Sequence, residues 1–158
     1  MPETLDPLDV AILRLLQDDS RMSTRDIGAK LHRSHAAISD RMQKMREQGF
    51  IKKYTVVLDH DKLNLGFMTF TSVQLKDHSE ETLNHFEREI IKFPEVLECH
   101  HMTGNYDFIL RIVAKDHKEY HDVLMKKLFA TLGVGQVETK VVMKTAKSET
   151  ALPVRVLQ

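Results

Sequence analysis

Residues 23–49 read STRDIGAKLHRSHAAISDRMQKMREQG, and this stretch decides the fold of the first part of the chain. It contains two short helical patterns, and each opens with a serine, Ser23 and Ser34, the residue type preferred at a helix N-cap. The patterns meet at a tight joint, His32-Arg33, and the second carries polar and basic residues on its outer face. Such a pair is typical of a helix-turn-helix, so the stretch predicts binding to double-stranded DNA.

The residues on either side complete a small domain. Asp6 is suited to cap a helix that has Pro7 at its first position, and apolar residues then recur at helical spacing to about Asp18. Gly49 is a natural terminator for the third helix. Residues 50–58 alternate loosely and are rich in β-branched residues, which predicts a strand that serves as the wing of a winged helix.

A second pattern follows residues 59–66, which read as a linker. Its order is strand, helix, strand, strand, helix, strand. Ser79 and Asp116 open the helices, and the predicted strands are Phe67–Leu75, Val96–Met102, Asp107–Ala114 and Val134–Lys144. Tyr120, Leu124 and Leu128 are the predicted buried face of the second helix. The fold class is therefore α+β: a winged helix-turn-helix over residues 1–58, then a ferredoxin-like βαββαβ domain over residues 67–158.

The distribution of charge agrees with a nucleic-acid partner. The formal net charge is zero, but residues 21–53 hold nine Lys or Arg against three acids, or +6. Residues 1–20 carry −4 and residues 54–158 carry −2. Attraction to phosphate requires only a local basic surface, so the neutral total does not exclude DNA.

Composition narrows the remaining classes. No apolar run is long enough to cross a bilayer, and no signal peptide is apparent, so we expect a cytoplasmic protein without a membrane partner. Cys99, the single cysteine, reads as a packed strand residue. Nine histidines include the pairs 100/101 and 117/121, but no supporting ligand array accompanies them, so we expect no metal. Neither a nucleophile motif nor a cofactor fingerprint is present, and we expect no cofactor and no catalytic residues.

The predicted DNA contacts lie on the third helix and beside it. The helix N-terminus suits a phosphate, short side chains let the backbone approach base edges, and Gln43 is suited to read adenine. Asp40 would repel phosphate unless it pairs with Arg41 or Lys44, or accepts from cytosine. The predicted set is Arg33, Ser34, His35, Ala36, Ser39, Asp40, Arg41, Gln43, Lys44, Lys52 and Lys53.

The chain resembles the Lrp/AsnC, or feast/famine, family of transcription regulators over about 150 residues. The matching pieces keep their order from end to end: Leu5-Asp6 to Arg21, Ser34 to Ile51, Leu65-Gly66, Pro94-Glu95-Val96, Thr103 to Leu110, and Val134 to Met143. The resemblance implies a DNA-binding domain joined to a ligand-sensing domain. It also implies a homodimer that assembles further, commonly to an octamer, and binds amino acids between dimers.

The effector site is predicted at the turn around Gly104. A tight turn accounts for Gly104 and Asn105 but not for Asp107, a carboxylate at the start of a strand. By the resemblance, the turn amides would take an amino acid's carboxylate and an acidic side chain its ammonium group. The predicted pocket is Met102, Thr103, Gly104, Asn105, Tyr106 and Asp107, with Gln136 and Glu138 contributed across the subunit interface.

Two alternatives stay open from the sequence. Some relatives with this two-domain fold are sirohaem decarboxylases, although the Gly104-Asn105-Tyr106-Asp107 turn and the basic third helix favour a regulator. A nucleoid-structuring protein with little sequence preference is the other alternative. The sequence leaves undetermined the operator, the effector, the sign of regulation, the oligomeric state and the role of Asp40.

Overall fold

The computed structural model describes residues 4–129 and 133–157, and its contacts divide the chain into two compact units. The first unit holds the chain up to Val57 together with the segment from Lys147, and the second is Leu58–Ala146. The sequence boundaries placed residues 147–158 with the sheet domain. The structure differs here, because the described residues from 147 onward fold back onto the helices of the first unit.

The first unit is built on three helices whose starts follow the predicted caps. They are α1 (Pro7–Asp18), α2 (Thr24–Leu31) and α3 (His35–Glu47). The Asp6 carboxylate accepts hydrogen bonds from the backbone N–H groups of Leu8 and Asp9, at 2.8 and 2.9 Å. Ser23 and Ser34 each accept one from the third residue beyond, at 3.2 Å. Gly49 follows α3 with φ +80°, as a helix terminator does.

The predicted strand at residues 50–58 is wrong within the described chain. Residues 51–58 have no regular secondary structure, and the side chains of Tyr54, Val56 and Val57 are exposed. A strand needs a neighbour for its backbone hydrogen bonds, and the first unit of this chain offers it none. The β-branched residues therefore favour an extended backbone but do not by themselves produce a hydrogen-bonded strand.

The second unit is a four-stranded antiparallel sheet with the ferredoxin-like order β2-β3-β1-β4, as predicted. Its elements are β1 (Phe67–Leu75), α4 (Glu80–Ile90), β2 (Val96–His101), β3 (Phe108–Ala114), α5 (His117–Val123), a π-helical extension (Leu124–Phe129) and β4 (Val134–Val141). Strands β2 and β4 end one and three residues before the predicted bounds. Beyond β4, the Val142 N–H still donates to the Met68 carbonyl of β1 at 2.9 Å.

Alternation along the strands places the core of this unit on the helix side of the sheet. Val73, Leu110 and Ile112 are fully buried against Phe86 of α4 and Tyr120 of α5. Residues of opposite parity, such as Phe70, point to the other face. Tyr120 and Leu128 are buried as predicted, whereas Leu124 lies outside the described side chains.

Candidate DNA-contacting helix and effector turn

The joint between α2 and α3 depends on a close backbone approach at Gly28. A Cβ atom at this position would lie 2.6 Å from the carbonyl oxygen of Arg33, so a side chain would force the two helices apart. His32 ends α2 in the left-handed conformation, with φ 53°. The tight joint predicted at His32-Arg33 thus has a direct geometric basis, and it presents the N-terminus of α3 outward.

Most of the predicted DNA contacts lie on the exposed surface of the first unit. Ser39 and Arg41 are half-buried, and the exposed ones are Arg33, Ser34, His35, Ala36, Asp40, Gln43, Lys44, Lys52 and Lys53. The Ser34 hydroxyl is engaged as the helix cap, and His35 Nδ1 lies 3.3 Å from the Thr24 hydroxyl of α2. Gln43, the predicted adenine reader, donates to Glu47 at 2.8 Å along the helix.

Arg41 is the member of the set whose side chain is directed toward α1. Its Nη1 atom lies 2.5 Å from Asp6 Oδ2 and 2.8 Å from Asp9 Oδ1, both on the first turn of α1. These hydrogen bonds raise the pKa of Arg41 above its ordinary value, and the bond to Asp9 has the larger effect. Partial burial works to raise the pKa of Asp6, but the Asp9 N–H, Arg41 and the Leu8 N–H together lower it. Arg41 therefore ties α3 to α1, and its predicted role as a phosphate contact is not supported by its geometry.

This arrangement also answers one question about Asp40. Arg41 pairs with the two acids of α1 rather than with Asp40, which stays exposed on the outer face of α3. The pairing was missed because Asp6 and Asp9 already have local roles in the capping of α1. Their remaining oxygen atoms bind a residue that lies 35 positions from Asp6 and 32 from Asp9, and no local pattern in the sequence reports that.

The predicted effector turn connects β2 to β3. Gly104 has φ +124°, a conformation that favours glycine, and the Met102 N–H donates to the Asp107 carbonyl at 2.9 Å where the strands part. Met102, Thr103, Gly104 and Asn105 are exposed, while Tyr106 and Asp107 are half-buried. The turn thus presents backbone groups to the outside and directs two side chains back toward the sheet.

The Asp107 carboxylate has two partners in the structure. Its Oδ2 atom accepts a hydrogen bond from the Leu75 N–H at 2.8 Å, where the β1–β4 register shifts. Its Oδ1 atom lies 3.1 Å from His78 Nδ1. The sequence analysis missed His78, because it follows β1 and lies 29 residues from Asp107. Asp107 therefore joins the turn to the end of β1.

Glu138 is close to the turn within the same chain. Partial desolvation, followed by the charge of Glu138 and a hydrogen bond to its side chain, raises the pKa of Tyr106. The prediction placed Glu138 and Gln136 across a subunit interface, whereas Glu138 here already contacts Tyr106 of its own chain. Gln136 is exposed and pairs with Gln74 of β1, and no contact joins it to the turn among the residues that the structure describes.

Cys99 and His101 both lie on β2. Cys99 is half-buried, and burial, followed by the charge of Glu87, raises the pKa of its thiol to about 11. The His101 ring stacks on Phe108, with centroids 4.9 Å apart. Within residues 4–129 and 133–157, the structure has no group of three or more His, Cys, Asp or Glu side chains placed to hold a metal ion. None of the described helices is long and apolar enough to span a membrane.

Comparison with known proteins places the two units in described families. Residues 5–52 match the winged helix-turn-helix DNA-binding family, and residues 68–152 match the Lrp/AsnC ligand binding domain. A helix-turn-helix unit followed by this α+β sheet defines a class of DNA-binding transcription regulators with a ligand-binding domain. The chain belongs to the Lrp/AsnC family.

Similarity to individual relatives extends over nearly the whole chain. The transcriptional regulator AzlB of Bacillus subtilis is 35% identical over 95% of this chain and 96% of its own. The Bkd operon transcriptional regulator of Pseudomonas aeruginosa is 34% identical over 94% and 97%. The crystal structure of an AsnC family regulator from Agrobacterium tumefaciens is 36% identical over 94% and 97%, with a TM-score of 0.88. The regulator NMB0573 of Neisseria meningitidis, solved as a complex with L-Met, is 27% identical over 95% and 97%, with a TM-score of 0.89.

Proposed function

We propose that this protein is a sequence-specific transcription regulator whose DNA affinity or assembly responds to an amino acid. The single observation that carries the proposal is the similarity, over nearly the whole chain, to a regulator solved with bound L-Met. The relatives named as transcriptional regulators favour this function over the enzymatic alternative. Double-stranded DNA is then the macromolecular partner.

For DNA, we propose that the outer face of α3 enters the major groove. Ala36, Asp40 and Gln43 are exposed on that helix, and Lys44 is the exposed basic residue suited to a phosphate. Arg33, Lys52 and Lys53 are exposed on either side of the helix and would add phosphate contacts. Gln43 would release Glu47 to reach a base, an exchange between two exposed polar partners.

For the effector, we propose that the turn from Met102 to Asp107 receives the amino acid. The exposed amides at Thr103, Gly104 and Asn105 would face its carboxylate. Its ammonium group would approach Asp107 on the Oδ1 side, where His78 is the exposed and replaceable partner. The bond from Leu75 to Oδ2 would stay in place and hold the carboxylate still.

We also propose that the chain forms a homodimer that assembles further, in the manner implied for octameric relatives. Phe70 is 38% exposed on the sheet face opposite the helices, and Ile109 is half-exposed on the same face. A second sheet packed there would bury both side chains. Glu138 and Gln136 lie on this face through the β1–β4 register, so a partner would bring further groups toward the turn.

The proposal is tested by a thermal-shift screen of the proteinogenic amino acids, with light scattering on the same samples. At a hundredfold excess over its Kd, an effector stabilises its binding site by about 2.7 kcal/mol, so one or a few amino acids should raise the Tm clearly. Asp107→Asn keeps an acceptor for Leu75 but loses the charge, and it should abolish the shift. Glu81→Gln, an exposed acid on α4, serves as the control and should respond like the native protein.

Two results would contradict the proposal. If none of the amino acids changed the Tm, the proposal of an amino-acid effector would be contradicted. If Asp107→Asn responded like the native protein, the assignment of the site to this turn would be contradicted. The DNA half is tested separately by competitor titration at fixed salt. A specific regulator keeps a large preference for its operator, whereas equal competition by every duplex would indicate a nucleoid-structuring protein instead.

A further inference from the structure

The segment that follows the sheet, residues 147–157, is seated along α1 by specific hydrogen bonds. We call it the return segment. The Gln17 side-chain amide recognises the Leu152 backbone in both directions: Nε2 donates to the Leu152 carbonyl at 3.0 Å, and Oε1 accepts from its N–H at 2.6 Å. One turn earlier on α1, Arg14 Nη2 donates to the Val154 carbonyl at 3.1 Å. Two α1 side chains thus bind main-chain groups of the return segment two residues apart.

A backbone pairing and an apolar contact fix the register of the return segment. Leu5 and Leu157 form an antiparallel bridge, with backbone N to O distances of 3.3 and 3.1 Å in the two directions. Within the return segment, the half-buried Val154 packs against the hydrophobic core of the three helices. Leu152, by contrast, has a side chain that is 73% exposed although its backbone is bound. The contact is therefore a defined peptide-binding mode with one apolar anchor.

The connectivity of the chain gives this contact a consequence. The chain leaves the first unit at Val57, and it returns at Lys147 after β4 has ended at Val141. We propose that α1 is a docking site for the return segment of its own chain, and that the docked segment is a second tether between the sheet unit and the DNA-binding unit. One tether leads to β1 and the other comes from β4. Release of the return segment leaves a single connection and frees the DNA-binding unit to reorient.

The occupant of the α1 site is tested by a designed disulfide in the full chain. Leu5 and Leu157 exchange both backbone hydrogen bonds, and residues paired in this way have Cα atoms about 5.5 Å apart, within the range for a disulfide. In a Cys99→Ser background, Leu5→Cys with Leu157→Cys should oxidise to a monomeric species that migrates differently on a non-reducing denaturing gel. The pair Leu5→Cys with Leu152→Cys, which the structure does not place opposite each other, is the control. A covalent dimer would show that a second copy supplies the segment, and no cross-link would show that it does not dock; either result overturns the proposal.

The tether is tested by the distance distribution between spin labels on the two units. Labels at the exposed positions Glu47→Cys and Glu81→Cys, also in the Cys99→Ser background, report one distance within each chain when labelled protein is diluted with unlabelled protein. Val154→Asp removes the apolar anchor, and Gln17→Ala removes only two hydrogen bonds and leaves the helix core intact. Both should broaden the distribution relative to the native chain, whereas Leu152→Ser, which keeps the backbone contacts, should leave it as in the native chain.

Hydrogen exchange on the same variants separates release from unfolding. Loss of the docked segment should speed exchange at the Leu5 amide by about tenfold or more, because an amide freed from a bridge exchanges through local opening. Exchange in β1 to β4 should not change. An unchanged label distribution with the Leu5 amide released would overturn the tether, and loss of protection throughout the sheet would overturn the assignment to the first unit. Neither measurement uses DNA or an amino acid, so the result is independent of the proposed function.

Discussion

At the scale of single residues, Arg41 and Lys44 are both basic residues of α3, but their surroundings differ. The Arg41 guanidinium lies against Asp6 and Asp9 and is half-buried, whereas Lys44 is exposed. A guanidinium bound by two carboxylates contributes to the stability of the helix packing. An exposed ammonium group is available to a phosphate, so we expect Arg41 to act in helix packing and Lys44 to act in the proposed DNA contact.

We expect Arg41→Ala to lower the free energy of unfolding of the first unit by about 1 kcal/mol, because it removes a partly exposed double ion pair. Its DNA affinity, measured on folded protein, should change little. Lys44→Ala should leave stability unchanged and reduce the slope of log K against log salt by about one, the loss of one phosphate contact. Chemical denaturation and fluorescence anisotropy with a short duplex of arbitrary sequence measure the two quantities. A large loss of salt slope in Arg41→Ala would contradict the assignment.

At the scale of elements, the turn between β2 and β3 is held to the end of β1 by Asp107. The hydrogen bond from the Leu75 N–H to Asp107 occurs where the register between β1 and β4 shifts. Leu75 is buried, so the carboxylate supplies its N–H with an acceptor at the point where the strand pairing is interrupted. The second contact of Asp107 is with His78, whose side chain is 54% exposed. Water can therefore take the place of His78 as a hydrogen-bond partner. We therefore expect the Oδ2 contact with Leu75 to contribute more to stability than the Oδ1 contact with His78.

We expect Asp107→Ala to lower the stability of the second unit by about 1–3 kcal/mol, the cost of leaving a buried N–H without a partner. Asp107→Asn should cost much less, because the amide oxygen can still accept from Leu75. His78→Ala should cost under about 1 kcal/mol, as exposed ion pairs do. Urea denaturation of the three variants measures the order. Equal losses for His78→Ala and Asp107→Ala would show that the ion pair, and not the Leu75 bond, holds the turn.

At the scale of the whole molecule, the residues that the structure describes form two separate hydrophobic cores. One surrounds Ile12, Ile27 and Ile38 of the three helices, and the other surrounds Phe108 and Leu110 of the sheet. Each cluster is confined to one unit, and each unit therefore has its own source of stability. Loss of packing in one core should not be felt directly in the other.

We expect Ile27→Ala to lower the stability of the first unit by about 2–5 kcal/mol, and Leu110→Ala to lower that of the second by a similar amount, since each leaves a cavity in a fully buried site. Hydrogen exchange resolved by peptide, over a series of urea concentrations, assigns the loss to a unit. Protection should fall in α1 to α3 for the first variant and in β1 to β4 for the second. Equal loss in both units from either substitution would show that they unfold as one.

Local patterns in the sequence were sufficient for the elements and for the fold class. The caps at Asp6, Ser23, Ser34 and Ser79 act on backbone groups two or three residues away, so the information lies within a few positions. Alternation along β1 likewise reports which face is buried, and the order of elements then leads to the ferredoxin-like sheet. The strand expected at residues 50–58 failed because β-branched composition does not report whether a partner strand exists.

The identity of side-chain partners was decided only by the tertiary structure. Arg41 meets Asp6 across 35 residues, His78 meets Asp107 across 29, and Gln17 meets Leu152 across 135. Each of these side chains has several rotamers and could satisfy its polar group in water, so its partner is selected only after the elements have packed. The sequence by itself determined the helix-turn-helix, the sheet and the exposed basic helix. Packing decided which basic residue faces outward, what holds the turn, and where the chain goes after its last strand.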